Sequence, residues 1–545
     1  MSRASTQFLV GGIRVSPDAS TEQIIEIARR RMKRADHSAA SLHFRLYKKS
    51  VDARRRDDVR LVCSVLAECE GELPEAVRAR FLRQPDVREL PREELNVTCG
   101  AEPMQGRPLV VGMGPAGLFC ALLLAEQGYA PILIDRGDCV ADRVRAVDRF
   151  FREGVLDTQS NIQFGAGGAG TFSDGKLLTR INDAHCTYIL ERLVEFGAPN
   201  DILTQAKPHI GTDVLRGVVD RMLDRIAACG GEVRYRTCLH SLTEYADGTV
   251  LAATSGGDIA CSAVVLAIGN AARDTYHMLI TRQFAVQAKP ISVGVRIEHR
   301  QADIDRALYG DFAGHPALGP AEYALSDTRG DRGVYTFCMC PGGEVVAAAS
   351  EEGGVVVNGM SHHARNGVNA NCAVAVSVRV SDFESIDGSL ALGAIAYQRR
   401  IEQAAFSLGG GDYSAPIQTV GDFLGGTLKN EPRRIQPTYR GGACVRVADI
   451  SKVFPSYVTE SLRYGLTSFD RKLTGFACAD AVLSAAETRT SAPVRILRDE
   501  NGQAIGHPCV YPCGEGAGYA GGITSAAVDG LKTALRMMAR FAPRS

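Results

Sequence analysis

A chain of 545 residues, 45% of them apolar, is long enough for several domains with sizeable cores. Its 62 basic and 62 acidic side chains cancel, which argues against a protein that binds nucleic acid or acidic surfaces in general. Sixteen scattered cysteines lack the density of a disulfide scaffold. With no signal-like start and no uncharged apolar run of about 18 residues, the reading is a reduced, cytoplasmic protein without a membrane partner.

Residues 1–100 read as a small α+β domain. QFLVGGIRV is an extended run, STEQIIEIARRRMKR opens a helix after Ser20, and SLHFRLYKKSV and DVRLVCSVLAE alternate as strands do. The basic run Arg45–Arg60 reads as a solvated, strand-flanking surface. The polar stretch Pro85–Arg107 reads as a linker. A strand, glycine turn, helix and strand begin at Leu109, and a basic, irregular segment follows over about 140–185. Helices are expected at about 187–197 and 213–229. The strand pair EVRYRTCLHSLTEYA and TVLAATSG and the apolar strand SAVVLAIG come next. From 271 to 500 the pattern turns to mixed strands and Gly-rich loops, and the chain closes with strand, glycine turn and long helix. The predicted architecture is α/β. A dinucleotide-binding domain (101–270 with 501–545) carries an inserted β-rich substrate domain (271–500).

The spacing G-x-G-x-x-G occurs at Gly112–Gly117, Gly165–Gly170 and Gly516–Gly521. Only the first has the context that gives the pattern meaning. PLVVG precedes it as a buried strand, AGLFCALLLAEQG follows as a helix, and APILID ends a second strand at Asp135. Gly112 serves the tight turn, Gly114 the approach of the pyrophosphate, and Gly117 the packing of helix on strand, with Pro115 and Ala116 at the helix start. Asp135 is then the acceptor for ribose hydroxyls. The second pattern has no strand before it and no helix after it. The third runs out of chain before another strand. One dinucleotide, not three, is expected, and no second fingerprint exists for NAD(P)H, which would bind only as a transient reductant.

The strings GAGTFSDGKL, AKPHIGTD, VLAIGNAARDT, KPISVGVRIEH, FCMCPGGEV, NGMS, ETRTSAPVRI and GEGAGYAGGITSAAVDG resemble, in order, a bacterial family of FAD-dependent dehydrogenases. These are flavoproteins of the two-dinucleotide-binding-domain type with a small N-terminal α+β domain. The resemblance implies non-covalent FAD and a reaction that moves hydride between an organic substrate and flavin N5. A flavin monooxygenase, or a flavin-holding sensing protein, is the alternative. Beyond the first turn it implies flavin contacts at Arg136, Arg143, Gly168, Thr171, Ser173, Lys176, Cys238, Ala267, Gly269, Gly514, Glu515, Gly518, Gly522 and Ile523. Asp135 stands where Glu is usual, and Glu515 where Asp is.

For substrate contact the candidates are Arg489, a bidentate partner for an anionic small molecule, Asn358 in NGMS, and His209 as a proton shuttle at neutral pH. No metal site is expected. Cys338-Met-Cys340, and Cys509 with Cys513, raise a dithiol reading. C-x-C is strained as a disulfide, and reduced, buried cysteines are expected. The oligomeric state is not legible.

Overall fold

A computed structural model describes residues 5–71, 73–91, 95–179, 181–442 and 444–543. The chain divides into two compact units. The first comprises Met1–Asn96, Asn182–His209 and Ala302–Ala321, and the second the remainder.

In the first unit an antiparallel sheet runs in the order His43–Asp52, Arg60–Glu70, Ser5–Val15, Val87–Glu89. Helix Thr21–Ala35 buries Ile24, Ala28 and Met32 at helical spacing. It starts on a capping box in which Ser20 and Gln23 satisfy each other's backbone N–H. The expected linker is therefore partly structured, because Val87 is apolar enough to be buried on the sheet's edge.

The second unit contains a five-stranded sheet in the order Val510–Pro512, Val264–Leu266, Leu109–Val111, Ile132–Ile134, Glu232–Arg234, all pairs parallel. Numbered along the chain and read from the opposite edge, this is 3-2-1-4-5, the doubly wound dinucleotide-binding order without its sixth strand. The three inner strands are fully buried, as parallel strands covered on both faces must be. Helix Pro115–Glu126 packs on the closing helix Ile523–Arg540 so closely that a side chain at Gly530 would strike the Ala116 carbonyl. The segment expected to be irregular opens with helix Val140–Glu153. Its Val140, Arg143, Val147 and Phe150 recur at three- and four-residue steps and are buried, a stripe masked in the sequence by six charged neighbours.

The stretch after Asn270 builds a seven-stranded sheet around Ile291–Arg300. Asn369–Val378 and Val334–Cys340 lie on one side, and Val482–Glu487 and Ala415–Thr419 on the other. Two long helices, Leu390–Gly409 and Ser456–Lys472, accompany it, and a hairpin pairs Glu344–Ala347 with Val357–Met360. The α/β class holds. Among the described residues no helix is long and apolar enough to cross a membrane.

Candidate functional site

The turn after Leu109–Val111 has the geometry its glycines suggest. Gly112 has φ +105°, and a side chain there would run into the Ala267 carbonyl at the end of the neighbouring strand. Gly117 lies so close to Gly112 that any Cβ would strike its carbonyl. Helix Pro115–Glu126 starts at Gly114 with Pro115 in its first turn and no side-chain cap. Its first N–H groups and positive dipole end therefore have no side-chain acceptor of their own.

Asp135 ends the second strand and is 7% exposed. Its Oδ1 accepts from the N–H groups of Gly137 and Gly165, both at 2.9 Å, and its Oδ2 from Met113 N–H at 2.8 Å. One carboxylate thus ties three turns together. Each oxygen offers two lone pairs, so Oδ2 retains one for a ribose hydroxyl. Next to it opens a cleft lined by Gly112, Arg136, Phe164, Thr237, Cys238 and Thr275 among others. Arg136 lies 4.4 Å over the Phe164 ring, and its guanidinium donates to Asp274 at 2.8 Å. Cys238 forms wall only, with its thiol turned to the Leu239 carbonyl. Phe164, Thr237 and Thr275 were not anticipated. Thr275 falls within VLAIGNAARDT and Phe164 stands directly before the Gly165–Gly170 pattern, so both offered a signal, whereas Thr237 carries no motif.

Arg143 is placed differently from the expectation of a flavin contact. It is fully buried and donates to the carbonyls of Asn161, Ile162 and Ala166 at 2.6–2.8 Å. A buried cation without a carboxylate needs such oxygens, and burial pushes its pKa down to about 9. Its work is to shape the 161–166 turn.

The glycine loop beyond it lies between two helix starts. A Cβ on Gly168, which has φ +61°, would come 2.8 Å from Gly114 Cα, and one on Gly170 would come 3.2 Å from Ile523 Cγ1. Thr524 Oγ1 donates to the Leu177 carbonyl at 2.7 Å. The loop's own hydroxyls hold the loop. Thr171 turns to the Ala166 carbonyl, and Ser173 donates to the Gly170 carbonyl at 2.7 Å. Lys176 sits 3.8 Å from Asp174. Asp174 was missed from sequence and is the loop's anchor, pairing with Arg365 and accepting from Ser361 of NGMS. Asn358, in the strand Val357–Met360 just before Ser361, turns its Oδ1 to the Gly359 N–H.

The late loop returns to the same place. Gly514 packs on Ala116, Gly516 on Gly269, and Gly518 on the Val494 carbonyl, and Gly522 begins the last helix without a side-chain cap. Glu515 accepts from Asn270 Nδ2 at 2.9 Å, and burial pushes its carboxyl up to about 7.

Arg489 does not face an open pocket. Its Nε and Nη2 lie 3.2 and 3.1 Å from the two Glu402 oxygens, and Nη1 meets Ser350. Arg273 grips the same carboxylate at 2.7 and 2.8 Å. Buried cations need a buried anion, and Glu402, on the long helix of the inserted segment, supplies it to both. His209 is half-buried and belongs to the first unit, unlike the other candidates.

The described cysteines are all unbridged. Cys509 and Cys513 are buried, and burial pushes both thiols up. Cys338 departs from expectation, being only half-buried. Among the described residues no group of three or more His, Cys, Asp or Glu side chains is placed to hold a metal ion.

Residues 290–490 match a family model described as the FAD-dependent protein, C-terminal domain-like family. A Clostridium beijerinckii protein described as uncharacterised is 45% identical over 501 residues, covering 91% of this chain and 92% of its own. Among solved structures, CtdE in complex with FAD is similar at 10% identity and a TM-score of 0.31 over 80% of this chain and 88% of that one. The halogenase PltM is similar at 11% identity and a TM-score of 0.37 over 80% and 68%. Likenesses this distant carry no argument about activity.

Proposed function

This chain belongs to one family with its Clostridium relative, and residues 290–490 match the FAD-dependent protein, C-terminal domain-like family; on that premise we propose that it is an FAD-dependent oxidoreductase acting on a small organic molecule. The observation that carries the reading is the coincidence of a side-chain-free helix start at Gly114, a buried acid at Asp135 and the adjoining cleft on one edge of a 3-2-1-4-5 sheet. The residues fit an adenosine diphosphate. The Ala116 and Gly117 N–H groups take the pyrophosphate, Asp135 Oδ2 takes one ribose hydroxyl, and Arg136 over Phe164 forms the wall beside the base.

FAD supplies two-electron redox chemistry when bound. This chain's residues supply binding and orientation. The glycine loop at Gly168–Gly170 and the uncapped start of helix Ile523–Arg540 converge, and that helix end favours negative charge placed against it. Glu515, held by Asn270, is poised to bond a hydroxyl of the ribityl chain or to hold a proton near neutral pH. A dehydrogenase or reductase is the first reading, in line with the family that the sequence strings resemble. NAD(P)H serves as a transient reductant at most.

The test is anaerobic. Purified protein should be yellow and release FAD, not FMN, on acid treatment. NADH, NADPH and pools of organic acids and alcohols are then screened for flavin bleaching. Colourless protein that rejects added FAD would sink the proposal. Flavin reduced by NADPH and reoxidised by oxygen only when an organic substrate is added would favour the monooxygenase.

A further inference from the structure

The strand Val334–Cys340 is irregular where its two cysteines fall. Phe337 pairs with Ala373 and Cys340 with Asn371, so three steps on one strand face two on the other. The extra residue is accommodated at Cys338, whose φ is +47°, a left-handed conformation that residues with a Cβ seldom take. In a flat strand, residues two apart are separated by roughly 6.6–6.8 Å between Cα atoms, at the outer limit for a disulfide. A left-handed residue curls the chain back on itself, and the Cys340 thiol donates to the Cys338 carbonyl at 3.4 Å.

Their surroundings are cationic on the near side. Arg296, fully buried, directs Nη2 at the Cys338 carbonyl at 3.4 Å and Nη1 towards Cys340 Sγ at 3.9 Å. Its remaining donors are taken by Glu487 at 2.9 Å and Asn371 Oδ1 at 2.7 Å. Lys176 is also near, with Asp174 as the opposing anion. The bond from Cys340, then Arg296 and Lys176, hold the Cys338 thiol below its ordinary range, whereas Cys340 is pushed up. Cys338 is half-buried and Cys340 fully so. A half-buried cysteine whose thiol is held low, next to a fully buried one pushed up, is the arrangement of an attacking and a resolving cysteine.

We propose that Cys338 and Cys340 form a redox-active dithiol that reduces small disulfides. The Cys338 thiolate attacks one sulfur of the disulfide, forming a mixed disulfide and expelling one thiolate. Cys340 loses its proton to that thiolate or to water and attacks Cys338 Sγ. The second thiolate leaves, and a Cys338–Cys340 disulfide remains. Two protein thiols are oxidised and one external disulfide is reduced to two thiols. The proposal does not rest on the flavin reading.

The test uses the full-length holoprotein with Cys99→Ser and Cys444→Ser, since those two cysteines are exposed. It is mixed anaerobically with dithiobis-nitrobenzoate, whose released thiolate is coloured. The fast phase should release two thiolates per chain. The digested peptide spanning both cysteines should lack two hydrogens and carry no adduct. With Cys340→Ser, one thiolate should appear and the adduct should stay on Cys338. Recovery of the parent peptide as a free dithiol, or as an adduct on Cys340 alone, overturns the proposal. That measurement needs no substitution in the pair, so a variant that fails to fold leaves it decisive.

Discussion

Replacing Asp135 by Asn separates two roles that sequence motifs assign to one acid. An amide offers one carbonyl oxygen, which can still accept from Gly137 and Gly165, and one NH₂, which then faces the Met113 N–H that Oδ2 now accepts. Donor meets donor, and the Met113 amide is left unpaired. A hydrogen bond to a charged group is worth about 1.5–3 kcal/mol, and each 1.4 kcal/mol is roughly tenfold. Exchange of the Met113 amide should therefore accelerate about 10- to 100-fold. The Gly137 and Gly165 amides, which keep a neutral acceptor of about half the strength, should accelerate less. The assay is hydrogen exchange read by mass spectrometry on flavin-stripped protein, where no ribose can contribute. Unchanged protection around Met113, together with weakened FAD binding, would refute the clamp and leave Asp135 as a ribose ligand alone.

Gly168→Val should abolish flavin retention while the helices stay folded. Its Cβ would sit 2.8 Å from Gly114 Cα at a backbone angle valine resists; full flavin content by absorbance would show the loop is not part of the cradle. Arg489→Met removes one of the two cations on Glu402, which keeps Arg273 and the Thr488 hydroxyl, and the loss of a hydrogen-bonded charge should cost about 1.5–3 kcal/mol of stability, seen as a lowered thermal midpoint. An unchanged midpoint with impaired substrate turnover would restore Arg489 as a substrate contact. Glu515 is raised by burial from 4.5 to about 7, so the folded protein keeps a proton that the unfolded chain loses. Its contribution is fully present below about pH 4.5 and is lost as pH rises through about 7. Glu515→Gln should flatten the fall in thermal midpoint between about pH 5 and pH 8, and identical slopes in both proteins would contradict the assignment.

How much was legible depended on whether the cause was local. The strand–turn–helix at Leu109–Glu126 was readable because turn angle, helix start and strand burial are each written in adjacent residues. The same holds for the Ser20 capping box and for the acid at the end of the second strand. Helix Val140–Glu153 was missed because its buried stripe includes an arginine, and only the carbonyls of a distant turn make Arg143 a core residue. The edge strand Val87–Glu89 is three residues long, and nothing in it declares a partner about 80 residues away.

The sequence by itself determined where the strand, glycine turn and helix at Leu109–Glu126 lie and that the Gly165–Gly170 pattern opens no sheet of its own. These follow from backbone sterics and from the period of apolar residues, which need no neighbours. Only the tertiary structure decided what the charged side chains do. It set Arg489 against Glu402, made Asp174 an anchor and Asp135 a three-way clamp, and brought Cys338 beside Arg296 and Cys340. A charge or thiol takes its properties from desolvation and from partners that the fold brings in from far along the chain. Spacing along the sequence carries no record of either.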